Sequence, residues 1–405
     1  INFFNGRLLS AEDLSLEKMA NKEARQQLGQ AIGNGIVYGL EVKETIGTST
    51  KKAPVLTVSE GLAINRNGQT LQLKSSTDVA LARPAETGNA TVKALFADCQ
   101  PTQQGPYYVA GKGVYLLTIQ IAWGTDGKAP VSGLGNLDAA CNAKYQIDGV
   151  QFHLIQLPIT SAELSDAKHL RNHLAYRCFG VNDNAATSFL ANPFGTVPTT
   201  YGLLDDLRPN CLMDDEVPLA LVYWTSENGI EFVDMWSVRR RILHRSADSD
   251  WPLLISDRRV AEGEAMFLQL QEHIQHIRLN ETNLESVVAT QRFERLPPVG
   301  ILPIADGAAR GFDYLKFFQG RTYHEPVFIE GARVNALIHE ALSYPAIDLT
   351  SPEMFWLYLI RENSQPRDET STSSIQPYLI FVNGHMPYRG EARFDLNRWN
   401  YSNYI

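Results

Sequence analysis

The chain has 405 residues, of which 44% are hydrophobic and 20% charged, and this balance predicts a globular protein of about two to four domains. Its net charge of −9 argues against a general nucleic-acid-binding protein, because that class needs a positive surface to neutralise phosphates. No apolar run approaches the length of a membrane span. The chain has four widely spaced cysteines, which form no zinc-binding pattern and favour free thiols: Cys99, Cys141, Cys178 and Cys211.

The first 90 residues predict a helix followed by a small antiparallel sheet. Ser10 is a good N-cap for a helix over 11–31, in which apolar residues recur every four positions at Leu16, Ala20, Ala24 and Leu28. A Gly-Asn-Gly stretch at 33–35 ends this helix. The expected strands are 36–42, 55–58, 61–64 and 70–73, with an Asn-Gly turn at 67–68 joining the last two.

Several strings of residues resemble baseplate proteins of phage tails and contractile injection systems. The N-terminal strings are Phe3-Phe4-x-Gly6-x-Leu8-Leu9 with Asp13-Leu14, then Gly35-Ile36-Val37-x-Gly39-Leu40-x-Val42, then Gly61-x-Ala63-Ile64 and Gly68. They are more distantly similar to the type VI secretion subunit that joins the baseplate to its membrane anchor. A C-terminal string resembles what accompanies this module in extracellular or membrane-anchored injection systems: Gly384-His385-Met386-Pro387-Tyr388, Ala392-Arg393-Phe394-Asp395-Leu396 and Trp399-Asn400-Tyr401-Ser402-Asn403-Tyr404.

The resemblance implies a structural subunit of a secretion particle, acting by protein–protein interaction as a homo-oligomer and supplying no catalytic residues. We therefore expect no enzyme activity, no cofactor and no metal. The expected partners are other baseplate subunits and copies of the chain itself, with no nucleic acid and no transmembrane segment; peripheral contact with a membrane stays open. Synthesis is expected in the cytoplasm, and the particle itself is left open as cytoplasmic, membrane-anchored or extracellular.

Residues 91–250 predict a β-rich middle domain. Strands are expected at 113–123 and 150–157, and a hairpin at 218–224 and 230–234 is joined by an Asn-Gly turn. The glycine-rich stretch 124–136 is expected to be a loop, and Ser161 is expected to cap a helix that runs to about Cys178.

Residues 251–291 predict a long helical segment. Its apolar residues, which include Phe267, Leu270, Ile274 and Ile277, recur at spacings close to three and four. Two interpretations stay open: a coiled-coil seam between subunits, or an amphipathic helix packed on its own domain. Residues 280–283 are also open as a turn between two helices.

Residues 292–405 predict an aromatic-rich α+β C-terminal domain. The proline-rich stretch 296–303 is expected to be a domain boundary, as a stiff linker or an edge segment. Buried strands are expected at 355–360 and 378–382, a helix at 331–342, and a packed C-terminus containing Trp399, Tyr401 and Tyr404. The predicted class is therefore α+β and multi-domain: an N-terminal helix with a small antiparallel sheet, a β-rich middle, a long helix and this last domain.

Five groups of polar residues are candidates for ligand sites. His169 and His173 lie one helical turn apart, and so do His273 and His276, which is a spacing that metal ligands use. Such a pair more often lies on an ordinary helix surface than binds a metal. The acidic groups Asp205-Asp206 and Asp214-Asp215-Glu216 lack the spacing of a calcium loop. The basic run Arg239-Arg240-Arg241 with His244-Arg245 fits an acidic partner or lipid headgroups, or a charged structural edge.

No nucleotide or nucleophile motif is present, because the chain has no Gly-x-Ser-x-Gly elbow and no phosphate-binding loop, and Gly133-Leu134-Gly135-Asn136 lacks a third glycine.

The functional hypothesis is assembly through three groups of interface residues: Phe3, Phe4, Leu8 and Leu9; Phe267, Leu270, Ile274 and Ile277; and Trp399, Tyr401 and Tyr404. The alternative is a receptor- or carbohydrate-binding tail protein that uses exposed aromatic residues such as Trp123, Trp224 and Trp251. An enzyme such as a peptidoglycan hydrolase is a third class, with no positive feature in the sequence.

Overall fold

The computed structural model of the chain describes residues 10–45, 49, 54–81, 113–128, 143–181, 202–208, 210–225, 227–242, 257–306, 309–352, 354–361 and 377–383. Its fold is α+β and multi-domain, which confirms the predicted class. Two compact units divide the chain. Unit 1 comprises Ile1–Ile159, Arg208–Met235 and Arg241–Arg245, and unit 2 comprises Thr160–Leu207, Trp236–Arg240 and Ser246–Ile405.

This division differs from the boundaries predicted near residues 90, 250 and 292. The predicted middle domain is shared, because its strands belong to unit 1 and the helices between them to unit 2. The proline-rich stretch at 296–303 lies inside unit 2. Contacts between residues far apart in the chain decide which residues share a unit, and the composition along the chain gives no information about those contacts.

Unit 1 begins with α1 (Ala11–Ile32), which confirms the helix predicted over 11–31. The Ser10 hydroxyl accepts a hydrogen bond from the Asp13 N–H at 3.1 Å, and the Asp13 carboxylate accepts one from the Ser10 N–H at 3.1 Å. This reciprocal capping box satisfies backbone donors that a helix start leaves unpaired.

Two small antiparallel sheets follow in unit 1. The first has the order β1-β4-β5, and the second has the order β2-β3-β6. The predicted strands at 55–58, 61–64 and 70–73 are confirmed. The bounds are β1 (Gly35–Gly39), β2 (Val42–Glu44), β3 (Val55–Val58), β4 (Gly61–Ile64), β5 (Thr70–Leu73) and β6 (Thr77–Ala80).

The single strand predicted over 36–42 is wrong, because β1 and β2 are separate strands in separate sheets. The chain turns at Gly39 and Leu40, whose φ angles of 62° and 56° lie in the left-handed region. A Cβ at Gly39 would lie 1.9 Å from the Glu60 carbonyl oxygen, so only glycine fits there. The Leu40 N–H donates to the same carbonyl at 3.2 Å, and its side chain is fully buried, which holds this unfavourable backbone.

A four-stranded antiparallel sheet completes unit 1 in the order β10-β9-β7-β8. The predicted strands and hairpin are confirmed, but the loop predicted over 124–136 is wrong for residues 124–128, which belong to a strand. The strand that begins at Gly113 continues to Lys128, which pairs with Ala143. The hydrogen bonds between the two strands outweigh the weak strand preference of glycine. The bounds are β7 (Gly113–Lys128), β8 (Ala143–Gln156), β9 (Val217–Thr225) and β10 (Gly229–Asp234).

The helices of unit 2 include α2 (Ser161–Ser165), α3 (Ala167–Phe179), α4 (Gly202–Leu207) and α5 (Asp257–Asn280). The single helix predicted over 161–178 is broken at Asp166, whose ψ of 65° is not helical. Its N-cap is Thr160 rather than Ser161, in a capping box with Glu163. Beyond Asn280 the helix predicted to residue 291 gives way to two single 3-10 turns.

The sheet of unit 2 has five strands, in the order β12-β17-β16-β13 with β14 also paired to β16. Strands β13 and β14 run parallel to β16, and the other pairs are antiparallel. The bounds in unit 2 are β11 (Arg295–Leu296), β12 (Val299–Pro303), α6 (Tyr314–Phe317), β13 (Thr322–Tyr323), β14 (Val327–Ile329), α7 (Gly331–Ala341), β15 (Ile347–Asp348), β16 (Met354–Ile360) and β17 (Tyr378–Asn383), with β11 and β15 forming a two-stranded sheet.

The structure confirms the buried strands and the helix predicted in this region. Strand β16 is covered on both faces: Phe355 and Leu357 pack into one cluster with Phe318, and Trp356 and Tyr358 pack into another with residues of α7. A strand buried on both faces reads as a continuous apolar run, which explains the density of hydrophobic residues in this part of the sequence. The proline-rich stretch forms β12 at the sheet edge, where a missing proline N–H is tolerated.

Candidate assembly surface

Helix α1 exposes most of its length to solvent. Between Glu12 and Ile32 only Gly29 is buried, and the large apolar side chains remain accessible. The exposed fractions are 55% for Leu14, 57% for Leu16, 66% for Met19, 66% for Leu28 and 48% for Ile32. Monomeric proteins rarely leave neighbouring large apolar residues uncovered, so this helix is the strongest candidate interaction surface among the described residues.

The helix is attached to the β4–β5 turn close to its C-terminal end. A Cβ at Gly29 would lie 2.1 Å from the Gly68 carbonyl oxygen, and a Cβ at Gly68 would lie 2.0 Å from the Gln26 carbonyl oxygen. The Gln30 side-chain amide also donates to the Asn67 carbonyl at 3.4 Å. The glycines let the two backbones come into contact, so Gly68 has a structural role in fixing α1.

A second point of attachment involves Lys22 and Trp123. The Lys22 Nζ lies 5.2 Å from the centre of the Trp123 ring, within the range of a cation–π contact. Trp123 is 56% exposed on β7. This contact directs the Lys22 side of α1 towards its own sheet and leaves the opposite side of the helix to solvent.

That opposite side carries a row of apolar residues spaced four apart. Four residues advance a helix by roughly 40° beyond one full turn, so such residues form a continuous ridge on the helix surface. All members of the row are exposed: Leu16, Ala20, Ala24, Leu28 and Ile32. We call the first four of these residues, Leu16, Ala20, Ala24 and Leu28, the α1 ridge, because they face away from Lys22. The sequence showed the spacing, but amphipathic helices usually bury such a row, so its exposure was the signal that sequence reasoning missed.

Seven of the predicted interface residues lie outside the described part of the chain, and the packed C-terminus predicted there does as well: Phe3, Phe4, Leu8, Leu9, Trp399, Tyr401 and Tyr404. The other four lie on α5. Leu270, Ile274 and Ile277 are no more than 4% exposed in the core of unit 2, and Phe267 is half-buried against its second cluster. For these side chains the structure shows a helix packed on its own domain, so the three buried ones are not available to another subunit.

The pair His169 and His173 forms structural ties. The His169 Nδ1 lies 2.8 Å from the Asp166 carboxylate and its Nε2 lies 3.1 Å from the Thr290 carbonyl oxygen. The His173 Nδ1 lies 3.0 Å from the Glu294 carboxylate. Both imidazoles are thus engaged by oxygen atoms of unit 2. Among the described residues no group of three or more His, Cys, Asp or Glu side chains is placed to hold a metal ion.

The pair His273 and His276 is split between core and surface. His276 is exposed, whereas His273 is buried with its ring edge-on to Phe293, the ring centres lying 4.9 Å apart. The His273 Nδ1 has no hydrogen-bond partner within the described structure. Burial, reinforced by the nearby charges of Arg171, His276 and Arg292, holds the pKa of His273 well below its usual value of 6.5.

We expect replacement of His273 with phenylalanine to flatten the acid dependence of unit 2 stability. Between the lowered pKa and about pH 6.5, the unfolded chain binds a proton at His273 that the folded chain does not. The free energy of unfolding therefore falls as the pH falls through this window, by up to about 1.4 kcal/mol per pH unit. Denaturant unfolding measured from neutral to acid pH should show the smaller slope in His273→Phe. The same substitution at exposed His339 is the control, and equal slopes in His273→Phe and the unsubstituted chain would contradict the expectation.

Two carboxylates of the acidic groups, Asp214 and Glu216, are held by protein partners. The Asp214 carboxylate lies 3.6 Å from Arg208 and 3.8 Å from Arg66. Glu216 is buried, and its carboxylate lies 2.5 Å from the His153 Nδ1 and accepts the Met213 N–H at 2.8 Å. These two carboxylates contact different protein groups, so they do not point to one common position as the ligands of a cation do.

The basic run is used inside unit 2 for at least two of its members. Arg240 donates to the Ser237 carbonyl at 2.9 Å and the Cys178 carbonyl at 3.2 Å, and its guanidinium lies 5.3 Å from the Phe179 ring centre. Arg239 lies 5.6 Å from the Trp236 ring centre. His244 and Arg245 lie outside the described residues. The contacts favour a structural use of this run.

Of the three candidate tryptophans for carbohydrate binding, Trp123 is exposed, Trp224 is buried with 6% of its surface exposed, and Trp251 lies outside the described residues.

No helix in the described ranges combines the length and apolar character needed to cross a membrane. Comparison of the chain with protein-family models and with curated proteins finds no match.

Proposed function

We propose that this chain is a structural subunit of a phage-tail-like contractile injection particle and acts by docking to neighbouring subunits, without catalysis. The observation that carries the proposal is α1, a helix of 22 residues whose large apolar side chains are exposed along nearly its whole length. In proteins most of the stability of a helix comes from tertiary packing of its apolar face rather than from intrinsic propensity. A partner that covers this face supplies that packing.

The resemblance to baseplate proteins supports the kind of particle. In its second string Gly39 allows the left-handed turn between β1 and β2, and in its third string Gly68 allows the close approach of α1 to the β4–β5 turn. Gly68 holds the C-terminal part of α1 against the β4–β5 turn, and the α1 ridge is exposed. The resembling residues thus serve the presentation of an interaction helix, which is what a docking module requires.

Sedimentation from gently lysed source cells tests this proposal. We expect the native chain to sediment with a megadalton particle, and a variant with Leu14, Leu16 and Leu28 changed to glutamine to remain in the light fractions. The matched control changes three exposed apolar residues of unit 2, Leu315, Phe328 and Met354, to glutamine and should still sediment with the particle. A native chain found only as a monomer in these lysates would reject the assembly function.

The carbohydrate-binding alternative keeps Trp123 as its exposed aromatic side chain. A glycan stacking on the face of this ring that Lys22 covers would have to displace the Lys22 side chain. Tryptophan fluorescence on addition of glycans distinguishes the two functions, because a saturable change lost in Trp123→Ala would favour the binding function over assembly.

A further inference from the structure

The α1 ridge has a sequence that is symmetric about its own centre. Leu16 and Leu28 lie six residues on either side of position 22, and Ala20 and Ala24 lie two residues on either side. A second copy of the ridge, turned end for end, therefore presents a leucine where the first presents a leucine and an alanine where the first presents an alanine. Two-fold related subunits meet through one self-complementary patch, and this ridge has that property.

The sizes of the side chains suit a close helix crossing. Rows of residues four apart interdigitate when two helices pack, at interaxial distances of about 8–10 Å that shorten with smaller residues at the contact. The two alanines are at the crossing point and allow the backbones to approach. The two exposed leucines lie on its flanks, where the gap widens and larger side chains fit.

The charges of α1 favour the antiparallel orientation. Its first half carries three acidic residues, Glu12, Asp13 and Glu17, against one basic residue, Lys18. Beyond Lys22, which lies at the centre of symmetry, the second half carries one basic residue, Arg25, and one acidic residue, Glu23, and is neutral. Antiparallel pairing sets the acidic first half of each copy against the neutral second half of the other, whereas parallel pairing sets the two acidic halves against each other. Lys22, which would meet its own copy at the centre, is turned away towards Trp123.

We propose that α1 pairs with α1 of a second copy of this chain, antiparallel, with Ala20 of one copy against Ala24 of the other and Leu16 against Leu28. This inference rests on the proposed assembly function and names the partner of the same surface. The pair joins two copies through a two-fold contact that involves only unit 1 residues.

The first test measures self-association of the full-length chain by sedimentation equilibrium over a range of concentrations. We expect a reversible dimer in the native chain and at least about tenfold weaker association in Leu28→Glu, because the symmetric contact would bury the new carboxylate twice without a partner. The control is Met19→Glu. Met19 has the same exposed fraction of 66% as Leu28 but lies roughly 120° around the helix from the centre of the ridge, so its dimer should persist.

Disulfide cross-linking tests the orientation independently of any loss of folding. The cysteine substitutions are made in a full-length chain whose four native cysteines are changed to alanine. This cysteine-free chain is first checked to dimerise as the native chain does. A mixture of Leu16→Cys and Leu28→Cys chains should form a cross-linked heterodimer, and neither alone should cross-link. In the antiparallel pair two copies of position 16 lie about 18 Å apart along the helix, beyond the reach of a disulfide. Cross-linking of Leu16→Cys with itself would overturn the antiparallel pair.

The two proposals fail in different ways. A monomeric native chain at every concentration, or equal effects of Leu28→Glu and Met19→Glu, would overturn the helix pair. A monomeric chain in which Leu28→Glu abolishes sedimentation with the particle would also overturn it, because α1 would then dock on a different subunit, while the assembly function would stand. A dimer with the expected pattern, found in cells without a particle, would support the pair and reject the injection-particle function.

Discussion

Replacing Phe318 with alanine is expected to lower the free energy of unfolding of unit 2 by about 3–5 kcal/mol, the largest effect of any single substitution considered. Phe318 is fully buried, and its ring centre lies 4.9 Å from Phe317, 5.0 Å from Phe355 and 5.7 Å from Phe381. Truncation removes these contacts and leaves a cavity that rings fixed on the sheet cannot collapse to fill.

The same substitution at Phe328 is the control for losing a phenyl ring. Phe328 lies on β14 of the same sheet but is 45% exposed, so its removal should cost less than about 1 kcal/mol. Hydrogen exchange of the β16 and β17 amides reports on unit 2 separately from unit 1, which avoids assuming a single unfolding transition for the whole chain. Similar losses of protection in the two variants would show that the aromatic cluster does not hold this unit together.

Replacing Gly263 with alanine is expected to destabilise unit 2 by about 1–3 kcal/mol, although alanine is the better helix former. Gly263 lies within α5, and a Cβ there would lie 1.9 Å from the Leu342 carbonyl oxygen at the end of α7. That neighbour is backbone, which cannot rotate away as a flexible side chain can. One of the two helices must shift, and the loss of packing exceeds the gain of about 0.5–1 kcal/mol in helix propensity.

Gly124 provides the matched control for this substitution. A Cβ there would meet no atom within 4 Å, so Gly124→Ala should be nearly neutral. Denaturant unfolding would measure both variants, with exchange of α5 amides reporting on Gly263→Ala in unit 2 and exchange of β7 amides reporting on Gly124→Ala in unit 1. A stabilised Gly263→Ala chain would mean that α5 and α7 do not meet at this glycine, and helix propensity alone would then describe the position.

Gly263 also shows how much sequence reasoning could extract from α5. The spacing of Leu270, Ile274 and Ile277 correctly predicts a helix with one apolar face. The same spacing is common to a coiled-coil seam and to a helix packed on its own sheet, so the pattern alone could not say what covers the face. The spacing of these apolar residues assigns no role to Gly263, whereas in the structure Gly263 is the point where the end of α7 contacts α5.

Helix α1 gives the opposite case. Its N-cap, its length and the four-residue spacing of its apolar row are local properties, and each was predictable. That the row faces solvent was not, because exposure depends on where Gly68 and Trp123 hold the helix. The candidate site was therefore present in the sequence as a helix pattern and became recognisable as a surface only in three dimensions.

The sequence by itself determined the elements whose cause is local: the capping box at Ser10, the Asn-Gly hairpins, the buried runs of β16 and β17, and the α+β class. Only the tertiary structure decided which residues share a unit, where the strand through Gly39 breaks, and which apolar faces are covered. The physical reason is that propensity and periodicity act over a few neighbouring residues. Burial and strand pairing depend on residues that lie far apart in the chain, such as Lys128 with Ala143 and Gly263 with Leu342.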